Sequence, residues 1–285
     1  MFDRIITSKV RKELNKMNSS LNGELLPLKV KDDVWILKIV NNYKSYLIKF
    51  YDRKDGKNYI NKYMIMEKHG INLPKILMHS DNLIVFEDYD DENLYKKINE
   101  LDLDDNIIDE IAKWYKKLHS LEIDELSDYK RYFTLNNINK VIEKYSLQYN
   151  KNFKYICDNF YNISLKCKRL KSHVILNDFN GNSMLISNKN GLIYYCDFDN
   201  LTNGFTYMDI EKIKMIFSKD QFEKFVCEYG VINEDEYAIE EVVCKIINLY
   251  LSTKSDMVSI EDKKILDEVV SEKFYAKLQR IVEWL

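Results

Sequence analysis

The chain has 285 residues, 46% apolar and 31% charged, enough to bury a sizeable core as one large or two small domains and unlike a disordered chain. Its 43 basic residues against 46 acidic leave a formal charge of −3, with no positive surplus to hold a phosphodiester backbone, so nucleic acid is not expected as a partner. The longest apolar runs, such as Leu83-Ile-Val-Phe86, fall far short of the ~18 residues a membrane span needs, and five scattered cysteines lack any CxxC or Cys/His spacing.

The first residues are too few and too charged for a signal peptide, so the expectation is a soluble, cytoplasmic protein with reduced thiols, no membrane association, no disulfides and no structural zinc. Seven glycines and two prolines leave little material for glycine-based phosphate loops. Ile5, Ile6, Val10, Leu14 and Met17 stand close to helical spacing and predict an amphipathic first helix. Over 26–51 the pattern turns β-rich, with runs at 34–40 and 46–51 around a polar turn at 41–45, which predicts a hairpin. After a loop at 52–58, Tyr59, Tyr63 and Met66 mark a helix ended by His69 and Gly70, the glycine as its C′ residue. Pro74 opens an extended segment to Met78, and 83–87 reads as a further short strand. Residues 1–88 thus form a small α+β unit.

From 89 to 285 the chain reads as mostly helical, with helices predicted over 107–119, 135–149, 155–170, 208–217, 235–251 and 261–285. The exception is 173–199, where three short apolar runs (174–176, 184–186 and 192–196) include a hairpin with its turn at 188–191. Charge is uneven, with a net +8 over residues 1–80 and −10 over 81–130.

Two acidic sites flank that hairpin: Asp178 in Leu176-Asn-Asp-Phe-Asn-Gly-Asn-Ser183, and Asp197 in Cys196-Asp-Phe-Asp199. A single aspartate after a strand usually serves turn chemistry. Two of them 19 residues apart across a hairpin are suited to a divalent cation and its phosphate ligand.

With these two segments the sequence resembles the aminoglycoside phosphotransferase and choline kinase superfamily, in which a motif H-[GN]-D-x-x-x-x-N precedes a short hairpin ending in [IV]-D-[FW]-[ED]. The resemblance extends in order along most of the chain. It takes in a strand lysine (Lys49), a helix ending at 70–77, a strand leading into a linker (83–89, then 92–94), a helix ending Leu118-His-Ser120, and Asp209 after the second motif. The Asp-Phe-Asp style of the second motif is similar to spore-coat members, and Asn177-Asp178 to choline kinases.

The resemblance implies an α+β, bilobal protein-kinase-like fold with a nucleotide-binding lobe at 1–88 and a helical lobe at 89–285, ATP lying in the cleft between them. It implies an ATP- and Mg²⁺-dependent phosphotransferase acting on a hydroxyl of a small molecule, cationic or neutral: an aminoglycoside-like amino sugar, an amino alcohol or another small metabolite. Asp178 would orient and deprotonate the acceptor, Asp197 would hold Mg²⁺, Lys49 would neutralise the α/β-phosphates of ATP or GTP, and backbone at Glu87, Asp88 and Tyr89 would meet the base. Asp209 reads as a structural anchor.

The departures are specific. Leu176 stands where the family has a histidine, so a polar anchor of the loop is lost, and the metal-binding Asn position falls on Ser183 or, with a loop one residue shorter, on Asn182. The helix after the lysine strand offers Asn58 and Asn61, or Glu67 near its end, where the family has a glutamate pairing with the lysine. No glycine occupies the first strand turn at 31–33. They support the alternative of a catalytically degenerate kinase fold serving as a nucleotide-sensing or structural interaction module. The four histidines read as helix-end or strand-flanking residues, and the acidic residues at 234–236 and 240–241 as a solvated face or the wall of a pocket for a cationic acceptor.

Overall fold

The computed structural model describes residues 4–17, 21–31, 33–41, 44–177, 181–255 and 257–283. The chain divides into two compact units, Met1–Trp114 with Phe179–Asn200, and Tyr115–Asp178 with Leu201–Leu285. The sequence boundary after residue 88 falls inside the first of them.

In the first unit, helix α1 (Arg4–Lys16) presents Ile6, Val10 and Leu14 to one face of an antiparallel sheet. The strands are β1 (Glu24–Lys31), β2 (Val34–Val40), β3 (Ser45–Tyr51), β4 (Ile76–His79) and β5 (Leu83–Glu87), in the order β1-β2-β3-β5-β4. Strand β3 is buried on both faces. Ile48 and Phe50 join the α1 core with Leu37, Ile39, Leu83 and Val85, so the alternation of a strand turns Leu47, Lys49 and Tyr51 to the opposite face. Helix α2 (Gly56–Lys68) covers that second face, where the Tyr63 ring meets Phe86 at 5.5 Å. It stops at Gly70, whose φ of +67° glycine adopts without strain, while Ile71 N–H returns to the Met66 carbonyl.

A second, three-stranded sheet of the same unit has the order β6-β8-β9, with β6 (Tyr95–Lys97), β8 (Met184–Ser187) and β9 (Ile193–Tyr195). The predicted hairpin is β8–β9, turned through Gly191 at φ +69°. The first apolar run of that region, strand β7 (His173–Ile175), pairs instead with β10 (Thr202–Gly204) in the second unit. Short apolar runs carry no signal of partner choice, so the sequence pattern left the partner of this first run open.

Helix α3 (Asp105–Ser120) is shared by both units. The second unit continues with α4 (Leu135–Lys144), α5 (Lys151–Asp158), α6 (Phe160–Arg169), α7 (Tyr207–Ile216), α8 (Lys219–Tyr229), α9 (Glu234–Ser252), α10 (Ile260–Val269) and α11 (Glu272–Glu283). Its core gathers on α9, where Ile239, Val242, Val243, Ile246, Ile247 and Leu249 are buried. Three predicted helices are shorter than their apolar patterns. The 135–149 helix ends where Ser146 takes φ +55°, the 155–170 pattern breaks at Asn159 between α5 and α6, and the C-terminal pattern divides into α10 and α11. At that last break the buried Asn152 amide donates to the carbonyls of Val269 and Ser271 at 2.8 and 2.9 Å. Helix α8, absent from the sequence reading, starts at a Ser218–Gln221 capping box.

Candidate active site

Lys49 is only 3% exposed, and no buried ammonium persists without counter-charge. Two carboxylates supply it: Asp197 Oδ1 and Asp199 Oδ1 each lie 2.9 Å from Lys49 Nζ. Burial works against the charged form, and Tyr51, Asp197 and Asp199 more than offset it, holding the Lys49 pKa well above its ordinary value. Both aspartates follow β9, whose rigid backbone delivers them to the lysine. Tyr51 donates to Asp199 Oδ1 at 2.6 Å, and Lys62 on α2 donates to the Asp199 carbonyl at 2.5 Å.

The α2 side of the lysine corrects the sequence expectation. Asn58, Asn61 and Glu67 are all exposed, because the buried stripe of α2 runs through Gly56, Ile60, Tyr63 and Met66. From that stripe the Tyr63 hydroxyl accepts from Lys49 Nζ at 3.0 Å. Tyr63 was read from the sequence only as a helix marker, since its hydroxyl carries no charge signal in a tyrosine-rich chain.

At the end of β5, Glu87 and Asp88 have their carboxylates committed within the unit. Glu87 Oε1 accepts from Tyr95 Oη at 2.6 Å and Lys75 N at 3.0 Å. Asp88, 4% exposed, pairs with Lys38 Nζ at 2.7 Å, accepts from Ser45 Oγ, and takes the Asp90 N–H at 3.1 Å. Tyr89 sets its ring edge-on to Phe86 at 5.8 Å, and burial pushes its hydroxyl pKa well up. The structure therefore gives these side chains structural partners.

Asp178 lies outside the described residues, but its approach in the second unit is fixed. Asp209, fully buried, accepts the N–H groups of Leu176 and Asn177, each at 2.9 Å. Asn177 has φ +55°, a conformation for which asparagine is among the better-suited side chains. His119, buried at the end of α3, places Nε2 3.0 Å from Asp209 Oδ2 and Nδ1 2.7 Å from the Tyr229 hydroxyl. The polar anchor missing at Leu176 is thus supplied through space by His119 and Asp209. His119 does end its helix, as the sequence reading has it; the structure adds that its ring is a buried link between Asp209 and Tyr229. A histidine 90 positions from its carboxylate partner leaves no local pattern to detect.

Of the two metal-ligand candidates, the hairpin register separates the faces. Met184 pairs with Tyr195, and Cys196 N–H donates to the Ser183 carbonyl at 2.9 Å, so Ser183 stands opposite Cys196, with Asn182 and Asp197 just beyond that pair. Ser183 and Cys196 are both 8% exposed, whereas Asn182 is exposed and Asp197 has 42% of its side chain accessible. Asn182 Oδ1 accepts from Asn99 Nδ2 at 2.7 Å. A carboxylate and an amide oxygen form a hard donor set that fits Mg²⁺. Among the described residues no group of three or more His, Cys, Asp or Glu is gathered.

The acidic residues of α9 do not form one face. Asp235 pairs with Arg280, Glu240 is buried beneath the start of α7, and Glu241 bonds to Lys245 and Lys277. Glu241 lines a cavity of about 380 Å³ bordered by α7, α9, α10 and α11, which Tyr207, Phe274, Glu211, Glu268 and Lys245 also line.

No family model and no curated protein matches the chain. Solved structures do. A streptomycin–ATP ternary complex of APH(2")-IIa is 18% identical over 99% of this chain and 99% of its own, with a TM-score of 0.61. The choline kinase LicA from Streptococcus pneumoniae is 13% identical over 96% of this chain and 99% of its own, at 0.63. An ethanolamine kinase from Plasmodium vivax is 17% identical over 89% and 84%, at 0.59. The chain has the α+β kinase-like fold of these small-molecule phosphotransferase structures. Among the described residues no helix is long and apolar enough to cross a membrane.

Proposed function

We propose that the protein is an ATP- and Mg²⁺-dependent phosphotransferase acting on a hydroxyl of a small molecule. The observation that carries the reading is the buried Lys49 bonded to both Asp197 and Asp199, on a fold shared with structures named as aminoglycoside, choline and ethanolamine kinases. In this reading Lys49 faces the α/β-phosphates, Asp197 and Asn182 hold Mg²⁺, and backbone at Glu87 to Tyr89 meets the base. Bound there, Mg²⁺ supplies charge neutralisation on the phosphates. Asp178 orients the acceptor O–H. Its oxygen forms the new bond to the γ-phosphorus as the bond to the β,γ-bridging oxygen breaks, ADP leaves, and the acceptor proton passes to the Asp178 carboxylate. Catalysis is mostly positioning and charge neutralisation.

The acceptor is placed in the α7/α9/α10/α11 cavity. Lys212 on its wall sets Nζ 3.5 Å from the Asn177 carbonyl, one residue before Asp178. Aromatic rings beside carboxylates suit a cationic group, while Lys245, Lys264, Lys273 and Lys277 in the same lining disfavour a polycation, so a small amino alcohol fits better than a large aminoglycoside. ATP as donor and five unbridged cysteines agree with a cytoplasmic enzyme.

A thermal-shift titration with ATP and GTP, with and without Mg²⁺, on wild type and Asp197→Asn tests the reading. Nucleotide at a hundred times its dissociation constant stabilises by about 2.7 kcal/mol, a shift of a few degrees. A Mg²⁺-dependent shift that disappears in Asp197→Asn is expected. No shift at millimolar nucleotide refutes the donor site and leaves a kinase fold without catalysis.

A further inference from the structure

Lys49 can serve a phosphate only if something other than the phosphate fixes where its ammonium sits. In the resembled family a helix glutamate does this, and α2 has none on its inner face, where Gly56, Ile60, Tyr63 and Met66 are buried. The atom of α2 that reaches Lys49 is the hydroxyl oxygen of Tyr63, at 3.0 Å, on a side chain that is 0% exposed. The same oxygen receives the Phe198 N–H at 3.4 Å, and the hydroxyl proton has the Cys196 carbonyl at 3.3 Å and Asp199 Oδ1 at 3.4 Å as acceptors. The ring is wedged between Phe86 on β5, at 5.5 Å, and Phe198, edge-on at 5.4 Å. One hydroxyl therefore ties together α2, the lysine strand β3 and the Cys196–Phe198 backbone on either side of Asp197.

We propose that Tyr63 is the positioning residue for Lys49 and for the Asp197 segment, its neutral hydroxyl taking the place of a helix carboxylate. This inference rests on the phosphotransferase reading and deepens it. The chemical consequence differs from that of a glutamate. A carboxylate on α2 would add a further negative charge at the lysine, whereas a hydroxyl orients the ammonium through a lone pair and adds none. The counter-charge comes from Asp197 and Asp199, on the segment that Tyr63 also holds.

The test is a double-mutant cycle of Tyr63→Phe and Lys49→Met, with MgADP affinity measured by calorimetry and folding of each variant checked by its melting temperature. Tyr63→Phe keeps the ring and its packing. It is expected to weaken MgADP binding about tenfold in the wild-type background, the scale of one buried hydrogen bond to a charged group, and to have a clearly smaller effect, through the Asp197 segment alone, once Lys49 is methionine. An equal loss in both backgrounds shows that the hydroxyl acts independently of Lys49 and overturns the proposal while leaving the nucleotide site standing, as does no loss in either. Wild type that binds no MgADP overturns the phosphotransferase reading, and this inference with it.

Discussion

Asn177 shows how much a single residue decides near the expected base. Its φ of +55° is held by the Asp209 carboxylate on its N–H, and the next residue is Asp178. Asn177→Gly should keep both fold and phosphate transfer, because glycine adopts this conformation without strain. Asn177→Val should cost about 1–2 kcal/mol and lower turnover more than nucleotide affinity, read from melting temperature and single-turnover rates. Glu240 offers a second residue-scale test. Burial raises its pKa from 4.5 to about 7, against hydrogen bonds from Tyr207 N at 3.0 Å and Thr206 Oγ1 at 3.3 Å, with Glu236 raising it and Lys130 lowering it. The folded state thus binds a proton that the unfolded chain releases. The contribution of Glu240 to stability is flat below pH 4.5, falls as pH rises to about 7 and is flat above. Glu240→Gln keeps an acceptor oxygen without the ionisation. Urea unfolding should show the variant gaining about 3 kcal/mol on wild type between pH 4.5 and 7.5. A gap that does not widen with pH would mean Glu240 ionises normally in place. Charge and residue type at these positions were legible in the sequence. Burial, which sets the titration and selects the hydroxyl of Tyr63 over the more conspicuous Glu67, was not.

At the scale of elements, periodicity reads well where an element has one apolar face and poorly where neighbouring elements share a pattern. Helix α1 follows its spacing, with Ile6, Val10 and Leu14 buried. Strand β3 carries apolar residues on both faces, and the lysine within it is legible only from the family motif, since a strand lysine is ordinarily solvated. The α10–α11 pattern reads as one helix because its break is made from outside, by the Asn152 side chain on α5. Replacing that donor by Asn152→Leu leaves one buried and one partly buried carbonyl without it and should cost about 2–4 kcal/mol in urea unfolding. A loss under 0.5 kcal/mol would show that the break is local to residues 269–271. Capping boxes such as Ser218–Gln221 are visible in sequence only once the helix start is known, and for that reason α8 escaped notice.

For the whole molecule, the proposed nucleotide groups that the structure describes, Lys49, Asp197 and Asn182, all belong to the unit of Met1–Trp114 with Phe179–Asn200, although 148 positions separate the lysine from its aspartate. Hydrogen exchange should therefore show MgADP slowing amides over 45–68 and 181–200 while leaving α10 and α11 unchanged. Uniform protection across both units would contradict a donor site confined to these groups. Motif order along the chain sufficed to identify the fold, because the sequence spacing of strand, turn and hairpin is local information; the roles of Lys49, Asp178 and Asp197 are those proposed above. The departures from the motif were equally legible, but not their remedies. The Tyr63 hydroxyl at Lys49, the His119–Asp209 link and the exposure of Asn182 against the burial of Ser183 all depend on which faces meet in space. Those choices belong to the tertiary structure, since a hydrogen bond requires an approach of about 3 Å between atoms whose distance along the chain is arbitrary.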